Sequence, residues 1–234
     1  CPDTKQSLMF SATMAPTIRQ LVAKLLKDPF EISIALSKPA EGVLQAVYLA
    51  YESQKIALID SLLGDKAEYK SILIFSSTKK KVFEIAQGLR AKKYDIDGIS
   101  SDLDQAKRED VLMRFRSKQT RILVATDVLS RGIDIKDINL VINFDAPNDA
   151  EDYVHRIGRT ARADTTGVAI TLLNPEDMYK FKKIEELIER KITKVGVPKE
   201  LGESPPWNPK QMPKGGRSFG KGKGKPRRNF SKGR

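Results

Sequence analysis

The sequence is poor in the residues that build cross-links and metal sites. Its 234 residues include one cysteine, Cys1, and one histidine, His155. One cysteine excludes an intramolecular disulfide, and the pair is too small for a zinc site of the usual kind. No apolar run approaches the roughly 18 residues that span a bilayer, and the first residues do not resemble a signal peptide. We therefore expect a cytoplasmic protein without a metal site or membrane contact.

Acidic residues are missing from one end of the chain. Residues 207–234 contain ten Lys and Arg and no Asp or Glu, within a total net charge of +12. The other 206 residues are thus close to neutral. Five prolines between 198 and 213 and many glycines after them predict a disordered basic tail over 194–234. Such a tail indicates a polyanionic partner, and the alternative is a tail that only improves solubility.

Short apolar runs alternate with amphipathic segments through the middle of the chain. The runs predict strands at 47–51, 72–75, 96–99, 122–125, 140–144 and 168–172. The intervening segments predict helices at 55–63, 79–92, 105–115, 150–157 and 175–189. Strands apolar on both faces, alternating with helices, are typical of an α/β fold with a mostly parallel sheet covered on both sides. In such sheets, ligands bind at the carboxyl ends of the strands.

The first residues read as the end of a different unit. An apolar run at 7–10 predicts a buried strand, and apolar spacing from 16 to 26 predicts a helix that begins with proline. One strand and one helix cannot bury a core, so we expect 1–29 to complete a preceding domain that this chain lacks. The predicted domain order is then a linker over 30–45, an α/β domain over 46–193 and the tail.

One charged motif stands out at the end of a predicted helix. The run 155–162 reads His-Arg-Ile-Gly-Arg-Thr-Ala-Arg, with arginines at 156, 159 and 162. A spacing of three places these arginines near one face of a helix or turn, and guanidinium groups bind phosphate oxygens bidentately. The alternative is a solvated basic helix face. Gly158 argues against it, because glycine is a poor residue for a helix surface.

This run resembles motif VI of the DEAD-box RNA helicases. Other motifs of that family follow in the family's order: motif III at 11–13, motif IV at 72–78, motif IVa at 102–109 and motif V at 125–135. Related DEAH and RecQ-type helicases begin motif VI differently. The resemblance covers about residues 1–193 and implies a RecA-like helicase C-terminal domain.

The sequence contains no P-loop, since Gly222 follows the near match at 215–221 where Ser or Thr should bind magnesium.

The resemblance implies two groups of site residues. For ATP, Arg159 and Arg162 correspond to arginine fingers that act in catalysis, and motif V contributes Gly132 and Asp134, the latter to the ribose. His155 corresponds to a residue that couples the nucleotide cleft to motif III, here Ser11 and Thr13. We expect ATP with Mg²⁺, the metal being held mainly by the absent first domain. The residues matching positions that contact or support RNA are Ser101, Gln105, Arg108, Thr126 and Arg131.

The resemblance therefore predicts an ATP-dependent RNA helicase that couples RNA-stimulated ATP hydrolysis to local duplex unwinding or ribonucleoprotein remodelling. The partners would be RNA, ATP and ribonucleoprotein components. Two alternatives stay open at this point. The chain could be a non-catalytic RNA-binding or annealing module acting through its tail, or a DNA helicase of the wider superfamily. We expect the 234 residues alone to be inactive, because the P-loop lysine and the Asp-Glu-Ala-Asp acids are absent.

Overall fold

A computed structural model describes residues 5–10, 16–32, 42–64, 66–127, 138–160 and 167–210. The helices are α1 (Pro16–Leu25), α2 (Lys55–Leu63), α3 (Lys79–Ala91), α4 (Gln105–Arg116), α5 (Ala150–Ile157) and α6 (Met178–Leu187). The strands are β1 (Val43–Leu49), β2 (Ile72–Phe75), β3 (Ile96–Ile99), β4 (Ile122–Ala125), β5 (Leu140–Asn143), β6 (Gly167–Leu173) and β7 (Lys194–Gly196). Short 3₁₀ turns lie at Glu52–Gln54 and Lys199–Leu201.

The seven strands form one sheet in the order β3-β4-β2-β5-β6-β1-β7, and every pair is parallel. Ile72 of β2 lies opposite Ile122 of β4 on one side and Leu140 of β5 on the other. β1 lies between β6 and β7, with Val43 opposite Gly167. The predicted parallel α/β fold is confirmed, and all loops at the carboxyl ends of the strands lie along one edge.

Helices cover both faces of this sheet. Ile72 and Ile74 pack with side chains of α2 and α3 on one face. Leu73 and Phe75, which alternate with them, pack on the other face with Val111 and Phe115 of α4. α5 and α6 extend that second layer over β1 and β6 through Tyr153 and Phe181, whose rings meet edge to face. Burial on both faces explains why the strands read as continuous apolar runs.

The predicted disordered tail begins too early. Residues 194–196 form β7 against β1, and the chain from 197 to 210 packs on the domain instead of leaving it. The Gln54 amide donates to the carbonyl oxygens of Leu201 and Glu203, at 2.7 and 3.0 Å, and the Ser204 hydroxyl accepts from the Val197 amide. Trp207 packs against the core beneath α6. The prolines that break a helix here still allow an extended segment, which side-chain hydrogen bonds and an aromatic anchor hold in place.

The prediction for the first residues is also partly wrong. Residues 5–10 are irregular where a strand was predicted at 7–10, because the described residues offer them no neighbouring strand. α1 forms, but Leu21 and Leu25 on it are 43% and 63% exposed. β1 begins at Val43, so the linker predicted to end at residue 45 ends three residues earlier. Among the described residues, no helix has the length and apolarity to cross a membrane.

Candidate functional site at the carboxyl edge of the sheet

Asp145, just after β5, is the centre of a polar cluster at the carboxyl edge. Its Oδ2 accepts hydrogen bonds from the Ser76 hydroxyl at 3.2 Å and from both the amide and the hydroxyl of Ser77 at 3.0 Å. Its Oδ1 lies 2.5 Å from the Lys81 ammonium on α3. Asp145 thereby fixes the loop after β2 to the loop after β5. The Ser76 and Ser77 hydroxyls both donate to the Asp145 carboxylate and so help to join the two loops.

Lys55 supports the same cluster from beneath. Its ammonium group is fully buried and donates to the Phe144 carbonyl oxygen at 2.7 Å. It lies 3.0 Å from Glu52, 3.5 Å from Asp145 and 3.9 Å from Asp177. A buried ammonium is tolerated only where carboxylates and hydrogen bonds replace its water. Lys55 therefore joins the carboxyl ends of β1, β5 and β6.

The charges around Asp145 hold it ionised. Burial alone would raise the pKa of this carboxyl, but Lys55, Lys81 and the Ser77 amide outweigh burial and lower the pKa from 3.8 to about 2. The two lysines lower the pKa of Glu52 as well, again against the effect of burial. Burial raises the pKa of Asp177, despite the neighbouring Lys180 and Lys55. The cluster therefore favours a carboxylate most strongly at Asp145.

We expect the cluster to make stability depend on pH. Because Asp145 is more acidic in the folded than in the unfolded chain, its contribution is complete above about pH 4 and is lost as the pH falls towards 2. Asp145→Asn should unfold more easily at pH 7, and its stability deficit should shrink by about 2 kcal/mol on acidification to pH ~2. Urea unfolding across this range measures the effect. The control is Asp110→Asn, an exposed carboxylate on α4; an equal pH response of both variants would contradict the prediction.

Arg156 is a buried clamp and not part of an exposed basic face. Its side chain is 2% exposed, and its Nε and Nη2 donate to the two carboxylate oxygens of Asp127 at 2.6 and 2.7 Å. Its Nη1 donates to Asn143 at 3.2 Å and to the carbonyl oxygen of Asp145 at 2.8 Å. The guanidinium carbon lies 5.1 Å from the centre of the Phe75 ring. One side chain thus ties α5 to the loops after β4 and β5.

The predicted common face of the three arginines is therefore wrong for Arg156. α5 ends at Ile157, and Arg159 lies half-buried in the turn that follows. His155 is half-buried in the last turn of α5. Because α5 ends between Arg156 and Arg159, the two side chains point in different directions. The spacing rule holds only for residues of one continuous helix. Arg162 lies outside the described residues.

The turn after α5 is anchored by Thr160. The Thr160 hydroxyl is buried and lies within hydrogen-bond distance of two carbonyl oxygens, at 2.8 Å for Ile138 and 3.1 Å for Asn139. Gly167, at the start of β6, passes so close that an added Cβ would lie 2.3 Å from the Thr160 carbonyl oxygen. Only glycine fits there. The position of Arg159 is therefore fixed from both sides, by Arg156 before it and Thr160 after it.

The residues predicted to contact RNA lie at the same edge where they are described. Ser101 and Gln105 are exposed after β3 and at the start of α4, and Thr126 is half-buried directly after β4. The Arg108 guanidinium donates to the Leu103 carbonyl oxygen at 3.1 Å and lies 3.4 Å from the Gln105 side chain. Its Nε is buried and meets no acceptor among the described residues. Their predicted contact with RNA stays a prediction.

Several predicted residues lie outside the described part of the chain: Ser11, Thr13, Arg131, Gly132, Asp134 and Arg162. Conversely, no sequence pattern indicated a role for Lys55, Lys81 or Glu52. In the sequence, a lysine at the first position of an apolar helix looks like an ordinary solvent-exposed residue at a helix end. No group of three or more potential metal ligands occurs among the described residues.

Known proteins resemble the chain both in sequence and in structure. The helicase conserved C-terminal domain family matches residues 54–164. The DEAD-box ATP-dependent RNA helicase CshA of Geobacillus kaustophilus is 39% identical over 198 residues, which are 84% of this chain and 42% of CshA. The helicase DeaD of Mycobacterium tuberculosis is 40% identical over the same length, 35% of that protein. The chain thus spans about two fifths of the length of these curated relatives.

Among solved structures, the Escherichia coli DEAD-box protein SrmB, bound to a regulator of ribonuclease activity, is 32% identical with a TM-score of 0.65. The match covers 74% of this chain and 98% of that SrmB chain. The chain belongs to the DEAD-box family. Saccharomyces cerevisiae Dbp5, solved with RNA and ADP BeF₃, has a TM-score of 0.74 at 27% identity and covers 83% of this DEAD-box chain. The match spans 52% of the Dbp5 chain.

Proposed function

We propose that this DEAD-box chain is the half of an ATP-dependent RNA helicase that presents arginines to ATP and forms one side of an RNA surface. The observation that carries the proposal is Arg156. By joining Asp127, Asn143 and Asp145, it ties the end of α5, and the turn with the half-buried Arg159 that follows, to the carboxyl edge where Ser101 and Gln105 are exposed. A nucleotide at Arg159 and an RNA strand at Ser101 and Gln105 would meet one rigid unit.

Arg159 fits a role at a phosphate. Its guanidinium group stays charged at every working pH, and its backbone is fixed by the clamp before it and Thr160 after it. ATP, when bound with Mg²⁺, supplies a γ-phosphate on which negative charge develops during hydrolysis. Arg159, with Arg162, would stabilise that charge, and Asp134 would accept a hydrogen bond from the ribose. The described carboxylates form no metal site, so the Mg²⁺ would be held outside them.

The RNA surface would consist of the loops after β3 and β4 and the start of α4. Ser101 and Gln105 are exposed there, and polar side chains of this kind contact phosphates without reading sequence. That mode of contact suits a helicase which accepts many RNAs. The relatives CshA and DeaD are both named ATP-dependent RNA helicases, which supports RNA and ATP as the partners of this chain.

ATP hydrolysis tests the proposal. The 234-residue chain alone should show no measurable ATPase, because its sequence lacks the P-loop lysine. A protein that adds an RecA-like domain with a P-loop and an Asp-Glu-Ala-Asp motif should hydrolyse ATP, and RNA should stimulate it. The measurement is phosphate release with and without single-stranded RNA. Hydrolysis by the chain alone, or none in the two-domain protein, would contradict the proposal.

A further inference from the structure

A groove lies between α3 and α4, outside the cluster at Asp145. It runs down the outer edge of β3, the strand at one end of the sheet, and has a volume of about 360 Å³. Lys79, Phe83 and Arg90 of α3 line one wall, and Lys107 and Arg114 of α4 line the other. From Lys79 to Arg90 the groove follows α3 for about 16 Å. None of these residues was among the predicted site residues.

Phe83 and two cations share one face of α3. Residues 79, 83 and 90 are separated by four and seven positions, which is the spacing of side chains along one face of a helix. Phe83 is 66% exposed, although it is a large apolar side chain. A single exposed phenylalanine is ordinary, but here it lies between a lysine and an arginine beside a groove. This combination of an aromatic face with flanking cations suits a nucleobase and its phosphates.

Two of the four cations that line the groove, Arg90 and Lys107, keep charge available for a polyanion. Lys79 is paired with Asp102, whose Oδ1 lies 2.5 Å from its ammonium. The groove's two carboxylates, Asp97 and Asp110, are both paired with Arg114. Their Oδ2 atoms lie 3.4 and 3.3 Å from guanidinium nitrogens of Arg114. Arg90 has no carboxylate partner among the described residues; its Nη2 donates to the neutral carbonyl of Ile96 at 2.9 Å. Lys107 contacts Asp104, but both side chains are largely exposed. Water screens such an exposed pair, so it leaves most of the lysine's charge available to a polyanion.

Arg90 also argues against a protein strand as the occupant. The Asp95 carbonyl accepts from the Ile122 amide of β4, so by alternation the backbone groups of Ile96 and Gly98 point away from the sheet. A peptide that extended the sheet would need the Ile96 carbonyl, which the Arg90 guanidinium already occupies. Covering an edge in this way blocks strand addition. The same contact places a cation on the edge, which an RNA phosphate can use.

The groove is continuous with the proposed RNA surface. Ser100 and Leu103 line its upper end. Ser100 is adjacent to Ser101 in the sequence, and the Leu103 carbonyl oxygen accepts a hydrogen bond from the Arg108 guanidinium. We propose that the groove is a second RNA subsite, which takes the single strand that extends beyond the surface of Ser101 and Gln105. Phe83 stacks on a base there, and Lys107 and Arg90 contact phosphates. The inference rests on the proposed function, since it requires that this chain binds RNA.

The test compares RNAs that reach the groove with RNAs that do not. Affinity of the 234-residue chain is measured by fluorescence anisotropy for oligouridines of about 6 and about 16 nucleotides. Phe83→Ala should weaken binding of the long RNA about 5- to 10-fold and leave the short RNA within about 2-fold. Met113→Ala is the matched control, because Met113 is 62% exposed on α4 but does not line the groove.

Charge gives a second, independent readout. Lys107→Gln should reduce the slope of log affinity against log salt by about 0.7 for the long RNA only. Lys80→Gln, an exposed lysine of α3 outside the groove, is its control. Equal effects on both RNAs, or effects no larger than those of the controls, overturn the subsite and leave the groove to a protein partner. Failure of the unsubstituted chain to bind either RNA would instead overturn the proposed RNA function itself.

Discussion

Replacing Arg159 with alanine should lower the kcat of ATP hydrolysis by about 10³- to 10⁵-fold in a protein that contains both helicase halves. The reason is electrostatic. A guanidinium group at the γ-phosphate stabilises charge that is present mainly in the transition state, so its loss affects kcat more than substrate binding. Arg159 is placed for this by a turn that is fixed at Arg156 and at Thr160. Steady-state phosphate release at saturating RNA and ATP measures the change.

The controls for Arg159→Ala separate catalysis from folding and RNA binding. RNA affinity should stay within about 2-fold, since the predicted RNA contacts lie on α4 and on the loops after β3 and β4. Arg116→Ala removes an exposed arginine at the end of α4 and should leave kcat unchanged. Turnover by Arg159→Ala at more than a tenth of the original rate would show that Arg159 is not an arginine finger.

Replacing Arg156 with alanine should destabilise the domain by about 3–5 kcal/mol, which is a large fraction of the stability of a typical domain. The change removes four hydrogen bonds to Asp127, Asn143 and the Asp145 carbonyl, and it leaves buried polar groups without their donor. It also leaves a cavity beside Phe75. The free energy of unfolding in urea measures the loss.

Arg156→Lys is the informative companion variant. Lysine keeps the positive charge, but its ammonium cannot span both oxygens of Asp127 and also reach Asn143 and Asp145. We expect a loss between that of Arg156→Ala and zero. Arg116→Ala should change stability by less than about 0.5 kcal/mol, as exposed substitutions usually do. If Arg156→Ala were as stable as Arg116→Ala, the clamp would not hold the motif together.

The sheet could be predicted from the sequence because its strands are buried on both faces. The bounds predicted for β2, β3 and β4 agree with the structure at both ends. When a four-residue apolar run lies between two polar turns, the first and last residues of the strand can be read directly from the sequence. β1 was predicted four residues too late, because Leu44 on it is exposed and the run begins with alternating residues. The ends of α6 were predicted too wide, since polar residues at helix ends fit both helix and turn.

The charged part of the site could not be predicted in the same way. A buried arginine and a half-buried one have the same letter in the sequence, and only their surroundings in the fold distinguish Arg156 from Arg159. The partners of Arg156 lie at the end of β5 and in the loops after β4 and β5, up to 29 positions from it in the chain. Lys55 depends on Phe144, 89 positions away. Local patterns contain periodicity and turn chemistry, but they contain no record of such distant contacts. The packing of Trp207 escaped prediction for the same reason.

The place of β1 between β6 and β7 has a consequence for how the chain folds during synthesis. β1 is made early, yet both of its neighbours in the sheet are made last, so it emerges from the ribosome without a strand to pair with. The strands β2, β3 and β4 can assemble from nearby segments, and β5 and β6 can then extend the sheet. β1 can join only after a loop of more than a hundred residues closes, which is a slow step in folding. Until then its apolar residues are open to aggregation and to chaperones.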